Sequence, residues 1–421
     1  MREDTQMRKE NTYGLSDGFV KELCGKYGSP LYLFDKAGFV ENYNHLLDAF
    51  RKIYPKYNIA YSYKTNYTPY ICKLVKELGG YAEVVSGMEY RLARKIGYES
   101  SGIVFNGPVK GNDLLEHLDL GGVANIDHLD ELNTVLAHAK KNTGKQYELA
   151  FRVNIDIDQS FVSRFGIDAD NGDLDKAFSL VAEAENVAVV GIHCHIGRSR
   201  SLQAWKNRVQ IMLALVDKYF SDPPRFIDLG SGMNSVMEPV LAKQFGGDIP
   251  TFAQYADIVA TAFSEKYGNL PTDKQPELIT EPGTTLVSGQ MRFLSTVLSI
   301  KTVKGKVFAT FDGSGGNMGD ICHLKQLPIT LHHFDGVQQT VSGADFVGYT
   351  CLEHDVMYKD YTGMLTVGDI VEFRNVGSYS NVFKPPFIYP NCAMAVLEED
   401  GGSQLIKQRE TMEYIFETYV F

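Results

Sequence analysis

The chain has 421 residues, 44% of them hydrophobic and 22% charged, with 41 basic and 52 acidic side chains and a net charge of −11. That composition is ordinary for globular proteins and excludes disordered, collagen-like and disulfide-scaffold classes. No basic tract interrupts the acidic balance, which argues against nucleic acid or an anionic membrane as a partner.

At the N-terminus, residues 1–14 are too polar for a signal peptide. No apolar run approaches the roughly 20 residues a membrane helix needs. The six cysteines are scattered, with no CxxC pair. This is the pattern of free thiols, and it predicts a soluble cytoplasmic protein.

The segment 29–35 (SPLYLFD) is strand-like, and a helical pattern covers 36–50. Short β-rich runs then recur at 57–64, 81–86, 102–107, 123–127, 148–155, 189–197, 226–232 and 277–283. Helical patterns separate them. Over 201–220, Leu202, Trp205, Val209, Met212, Leu213, Val216 and Phe220 form an apolar stripe at helical spacing. Over 251–267, Phe252, Tyr255, Ala256, Val259 and Phe263 do the same. Eight βα units predict a closed parallel (β/α)8 TIM-like barrel rather than a doubly wound sheet. After residue 286 the long helical patterns stop, and 291–303, 307–311, 328–334, 369–379 and 392–397 read as an antiparallel β-domain. The expected organisation is a segment 1–35 joining the β-domain, a barrel over 36–285, and the C-terminal β-domain over 286–421. Gly313, Gly315, Gly316 and Gly319 read as turns within the last of these.

Barrel chemistry sits at the C-terminal strand ends. Those ends carry Lys64, Glu83, Asn106, Asp127, Arg152, His193, His195, Arg198, the loop Gly230-Ser231-Gly232, and Glu281-Pro282-Gly283. Lys64 follows an aromatic strand, and a desolvated amine there suits Schiff-base chemistry. His193 and His195 face one way, as two residues apart on a strand must. They suggest either a metal pair or one packed and one functional imidazole, and no surrounding ligand cluster supports a metal. The glycine loop follows the seventh strand, where such barrels commonly bind phosphate on bare backbone N–H groups. Glu281 suits a protonated ring nitrogen, as an electron-sink cofactor requires. Together these describe a pyridoxal 5'-phosphate site.

Nine motifs in order resemble the fold-type III PLP-dependent decarboxylases, the group of diaminopimelate, ornithine and arginine decarboxylases. They are YSYKTN (61–66), AEVVSGMEY (82–90), FNGPVK (105–110), FRVN with SRFGI (151–154 and 163–167), HCHIG (193–197), DLGSG (228–232), EPG (281–283), TCLEHD (350–355) and GSY (377–379). The resemblance implies an alanine racemase/ornithine decarboxylase-like fold and a homodimer with shared active sites. It implies Lys64 as the lysine bound to the cofactor, His195 as the residue stacked on its ring, and Glu281 as the ring-nitrogen partner. It implies Gly230, Ser231, Gly232 and Gly283 as the phosphate cradle, aided by Tyr379, with Arg152 and Glu83 as supports beneath the ring. A lone cysteine is usually a small packed residue, but Cys351 resembles the family cysteine that reaches in from the second subunit. There it would protonate the substrate carbon after CO2 leaves.

Two departures stand out. Thr284 occupies the place of the arginine common in EPGR, and Arg198 replaces a small residue after HIG. Arg198 is expected to supply the contact missing at Thr284. Leu352 follows the cysteine where the family has an acid that grips the substrate's distal amine, and MGDICHLK (318–325) lacks an arginine used by diaminopimelate decarboxylases. A lost polar contact is costly to a substrate that needs it. The expectation is decarboxylation of an amino acid that is modified, larger or carrier-attached. A PLP-dependent racemase or epimerase is the nearest alternative; a metal-dependent barrel hydrolase and a non-catalytic binding protein are the more distant ones.

Overall fold

The structure, a computed structural model, describes residues 14–157, 162–246, 248–334 and 339–421. The polar stretch read at 1–13, and with it the start of the expected segment 1–35, lies outside the described residues. Two compact units divide the chain: Val40–Val236 with Gly247–Leu286, and Met1–Phe39 with Met237–Gly246 and Val287–Phe421.

The first strand, β1 (Leu31–Asp35), belongs to the second unit. The first unit is a closed parallel barrel. Its strands are β2 (Tyr57–Ser62), β3 (Tyr81–Val84), β4 (Ile103–Phe105), β5 (Val123–Ile126) and β6 (Tyr147–Asn154). After the two-residue β7 (Ile167–Asp168) beside β6 come β8 (Val187–His193), β9 (Phe226–Asp228) and β10 (Glu277–Thr280). Pairing runs in that order around the sheet, β5 joins β6, and β10 returns to β2, which closes the ring. Six of the eight barrel strands fall within the runs read from the sequence, and β6 and β8 begin one and two residues before theirs. Helices Lys36–Arg51, Leu202–Tyr219 and Phe252–Tyr267 match the three apolar patterns within a residue or two. Ser201 and Thr251 cap the last two by accepting from the N3 backbone N–H.

Alternation along each strand decides which side chains reach the barrel interior. On β6, Leu149, Phe151 and Val153 face the helices, where Phe151 meets Phe178 edge-on at 5.0 Å. Ala150 and Arg152 face inward. On β8 the pairing register shifts between Leu149 and Ala150 of β6, so Ala150 pairs with Gly191 and Arg152 with His193. The extra residue is Val190, a bulge that brings His193 into the inward row. Gly191 has no room for a side chain, because a Cβ there would strike the Phe226 ring.

The rim between β4 and β5 is braced by a buried ion pair. Lys110 Nζ donates to Glu131 Oε2 at 2.8 Å and to the Gly107 carbonyl at 2.8 Å. Glu131 Oε2 also accepts the Asp127 N–H at 2.9 Å. Burial pushes the Lys110 pKa down, and the Glu131 charge opposes that.

The second unit is a nine-stranded sheet. Beside β1 it contains β11 (Met291–Val303), β12 (Lys306–Phe311), β13 (Ile329–His332), β14 (Thr340–Val347), β15 (Val356–Met364), β16 (Ile370–Arg374), β17 (Ala393–Leu397) and β18 (Ser403–Lys407). Most pairings are antiparallel; β1 with β17 and β12 with β14 are parallel. The strand read at 29–35 thus joins this sheet. Residues Met237–Gly246 group with it too, because Arg374 grips Glu238 through two hydrogen bonds of 2.6 and 2.9 Å. Among the described residues, no helix is long and apolar enough to cross a membrane.

Removing one partner of a buried pair strands the other charge. Lys110→Met is expected to destabilise the fold by about 3–5 kcal/mol, and the double change Lys110→Met/Glu131→Leu to recover most of that. Urea-denaturation midpoints of the two variants measure the difference.

Candidate active site

Polar residues of the inward row and the loops above them line a cavity of about 590 Å³ at the C-terminal end of the barrel. Lys64, Glu83, Asn106, Arg152, His193, His195, Arg198 and Glu281 all border it. The amine of Lys64 donates to Ser62 Oγ at 2.6 Å and to Glu83 Oε2. Ser62 Oγ also donates to that carboxylate. Glu83 is fully buried, while about 29% of the Lys64 side chain is exposed.

Glu281 is the centre of the opposite wall. His193 Nε2 lies 3.1 Å from its Oε1, and His195 Nδ1 lies 3.1 Å from its Oε2. Burial alone would raise the Glu281 pKa, but the charge and hydrogen bonds of the two histidines hold it well below the usual carboxylate range. Asp228, fully buried beside it, is pushed well above that range by burial and then by the Glu281 charge. The two acids are thus pushed in opposite directions. Burial also lowers the His195 pKa, against the opposing bond to Glu281.

One amide ties the two walls together. Asn106 Nδ2 donates to Glu83 Oε1 at 2.9 Å and to Glu281 Oε1. With both hydrogens committed, its oxygen accepts from Asn125 Nδ2 at 2.7 Å. Carboxylates on both sides fix the flip of each amide in turn. Arg152 approaches Asp127 at 3.3 Å and stacks over the Phe165 ring at 4.7 Å.

The loop after β9 is built for close approach. Gly230 and Gly232 adopt φ of +62° and +105°. A Cβ at either would collide with backbone of residues 194–196, so only glycine fits. Gly283 is closed off in the same way by the Thr65 side chain. Thr284 begins a short helix, Thr284–Val287. Arg198 is exposed at the cavity mouth.

Cys351 and Tyr379 lie in the other unit. Cys351 is the one exposed thiol of the six. Tyr379 holds φ of +52°, a left-handed conformation unusual for a bulky residue. Sequence reasoning gave no role to Ser62, Asn125 or Asp228, and it passed over Arg208. Arg208 is a charge on the apolar stripe of helix Leu202–Tyr219, one turn after Trp205 and fully buried. A charge on a buried face is itself a signal. The supposed histidine metal pair does not converge on one point, since the two rings sit against different oxygens of Glu281. Donor atoms of His193, Asp228 and Glu281 do lie within 4.8 Å of one another.

The family model for the pyridoxal-binding domain of pyridoxal-dependent decarboxylases matches residues 41–288. The chain belongs to that family. A diaminopimelate decarboxylase of Aquifex aeolicus is 27% identical, with 94% of this chain and 93% of that protein covered. One from Methanocaldococcus jannaschii is also 27% identical, over 97% of this chain and 95% of that protein. The solved structure of the latter enzyme superposes with a TM-score of 0.82 at 25% identity, over 95% of this chain and 94% of that one. A viral arginine decarboxylase, from Paramecium bursaria Chlorella virus, shares the fold at 18% identity and a TM-score of 0.70, with 88% of this chain and 97% of that one covered.

The protein is thus a PLP-dependent enzyme that decarboxylates an amino acid. The racemase, hydrolase and non-catalytic readings are set aside. The residues present fit the cofactor: an amine and an ionised buried carboxylate border one cavity, and the glycine loop, though not itself in the lining, packs directly against residues 194–196 at its edge.

Glu89 adds a titrating group nearby. It is buried, accepts the Val85 N–H at 2.7 Å, and is raised from 4.5 to about 7 by burial, with the Glu83 charge adding to the rise. Between those values the folded chain keeps a proton that the unfolded chain has released. Stability from this group therefore falls as pH rises through that window. Glu89→Gln is expected to gain stability relative to the parent progressively from about pH 5 to about pH 8, as the linkage relation requires. Denaturation midpoints of the two proteins across that range check the sign.

Proposed function

We propose that the cavity beside Glu281 receives the cofactor ring, with Lys64 as its covalent anchor and Gly230, Ser231, Gly232 and Gly283 around its phosphate. When bound, pyridoxal phosphate supplies an electron sink for the pair left as CO2 departs. The reading rests on one observation: the Lys64 amine and the ionised Glu281 carboxylate border the same cavity.

Each residue then has a task. Glu281 keeps a proton on the ring nitrogen, because a buried carboxylate held ionised by two imidazoles favours a cationic N–H partner. Asn106 keeps the Glu281 and Glu83 carboxylates apart and oriented. Glu83 and Ser62 hold the Lys64 ammonium while it is free, ready to give or take a proton at Nζ. His195 forms the wall against which the ring lies, Arg152 braces the floor, and Arg198 adds positive charge at the mouth. In a homodimer with shared sites, the thiol of Cys351 from the second subunit delivers the proton to the substrate carbon, and Tyr379 assists at the phosphate.

For the substrate, we favour an amino acid whose distal end carries neither a free amine nor a second amino-acid head: a modified, larger or carrier-attached one. Leu352, 41% exposed, stands beside Cys351 where the family has an acid. Asp355 is no substitute. It accepts from Gly315 N at 2.7 Å, Thr350 Oγ1 at 2.6 Å and Thr350 N at 3.3 Å, so its oxygens are committed to its own loop and to the turn at Gly315. Diaminopimelate is the second reading, supported by the names of the 27% identical relatives.

Borohydride treatment of the holoenzyme followed by peptide mapping is expected to place the reduced cofactor on Lys64; a label elsewhere, or none, overturns the site. Assays of CO2 release are expected to give diaminopimelate a kcat/KM at least ~100-fold below that of an amino acid with a neutral distal group. Equal or better turnover of diaminopimelate would establish the second reading.

A further inference from the structure

Arg208 is a fully buried arginine whose guanidinium hydrogen-bonds to backbone carbonyls. Its Nη1 donates to the carbonyls of Leu229 at 3.0 Å and Ser231 at 2.6 Å, and its Nη2 to the carbonyl of Ile196 at 2.9 Å. Its guanidinium stacks on Trp205 at 4.2 Å. Trp205 Nε1 in turn donates to the Gly232 carbonyl at 3.3 Å. Four carbonyls from the loops after β8 and β9 are therefore drawn toward one helix.

A trans peptide points its N–H opposite to its C=O, and among the described residues the only cis bond is Ser29–Pro30. Holding the carbonyls of Ile196, Ser231 and Gly232 on the helix side turns the N–H groups of Gly197, Ser231's successor Gly232, and Met233 to the other side. Among the described residues these three N–H groups have no hydrogen-bond partner. The fourth peptide differs only because Asp228 Oδ1 takes the Gly230 N–H at 2.8 Å. Converging unpaired N–H groups form an anion nest. A buried positive charge directly beneath strengthens it.

We propose that Arg208 is the positioning residue of the phosphate nest: it orients the N–H groups of Gly197, Gly232 and Met233 and supplies, from below the loop, positive charge that the chain lacks at Thr284. This rests on the reading that the Gly230–Gly232 loop holds the cofactor phosphate. Arg208 touches neither cofactor nor substrate; it acts through the backbone. The charge comes from beneath the cradle, so it need not compete with the amino-acid substrate for space in the cavity.

The test compares binding of pyridoxal phosphate and of pyridoxal, which lacks the phosphate, to the full chain stripped of cofactor and reloaded. The parent protein is expected to prefer pyridoxal phosphate strongly and to be blocked by inorganic phosphate. In Arg208→Met, affinity for pyridoxal phosphate should fall by about tenfold or more, the scale of one lost charge-assisted interaction, with pyridoxal affinity little changed. Arg208→Lys keeps the charge and loses the fork, and should fall between. Trp205→Phe removes only the bond to Gly232 and gives a smaller, equally phosphate-selective loss, which keeps the test available if Arg208→Met does not fold. Equal loss for both ligands, or selectivity that vanishes in Arg198→Ala and persists in Arg208→Met, overturns the role of Arg208 alone. A parent protein without phosphate selectivity overturns the nest itself.

Discussion

Glu281 holds a negative charge with about 1% of its side chain exposed. Such a charge must be solvated by the protein or neutralised. Here two imidazoles, one amide and an aspartic acid surround it, brought there by the ends of three strands. His193 and His195 come from the end of β8, Asn106 from the end of β4 and Asp228 from β9. The barrel is thus the device that brings donors from distant stretches of sequence onto one carboxylate. Asn106 extends the same constraint across the cavity to Glu83 and, through it, to Lys64. Charge states on the two walls are consequently linked, although the acids that carry them are far apart in the chain.

Much of this was legible in the sequence, for physical reasons. Barrel strands are buried on both faces, so their apolar runs are dense and end abruptly where polar residues reach the mouth. The three longest amphipathic helices carry apolar stripes along their whole length, broken in Leu202–Tyr219 only by Arg208. The β unit was harder. Strands β14, β15 and β18 were not read, because they alternate buried and exposed positions and carry many polar side chains. Within the site, titratable residues at strand ends were found because their chemistry is overt. Asn125 and Ser62 were overlooked because their role is to hold other residues. Arg208 was overlooked because a helical stripe draws attention to its apolar members.

In the β unit, polar groups near Leu352 are already engaged. Asp355 accepts from the Thr350 N–H and hydroxyl and from the N–H of Gly315. Glu353 and His354 are exposed beside Leu352. A cavity in this unit of about 210 Å³ is bordered by Leu352, His354, Tyr349, Lys384 and Phe387, a mixed apolar and basic lining in which the single acid is otherwise engaged.

The bulge at Val190 carries a consequence for how such a barrel can change over time. Strand registry elsewhere in the ring is read in steps of two, and a one-residue slip exchanges interior for exterior. In β8 one extra residue has already absorbed such a slip, since Val189 faces Leu149 and Gly191 faces Ala150 with Val190 between them. A residue lost at the bulge would leave Gly191 opposite Ala150 and His193 opposite Arg152, whereas one lost between Gly191 and His193 would turn His193 toward the helices and bring Cys194 opposite Arg152. The strand thus has slack in length on one side of Gly191 and none on the other.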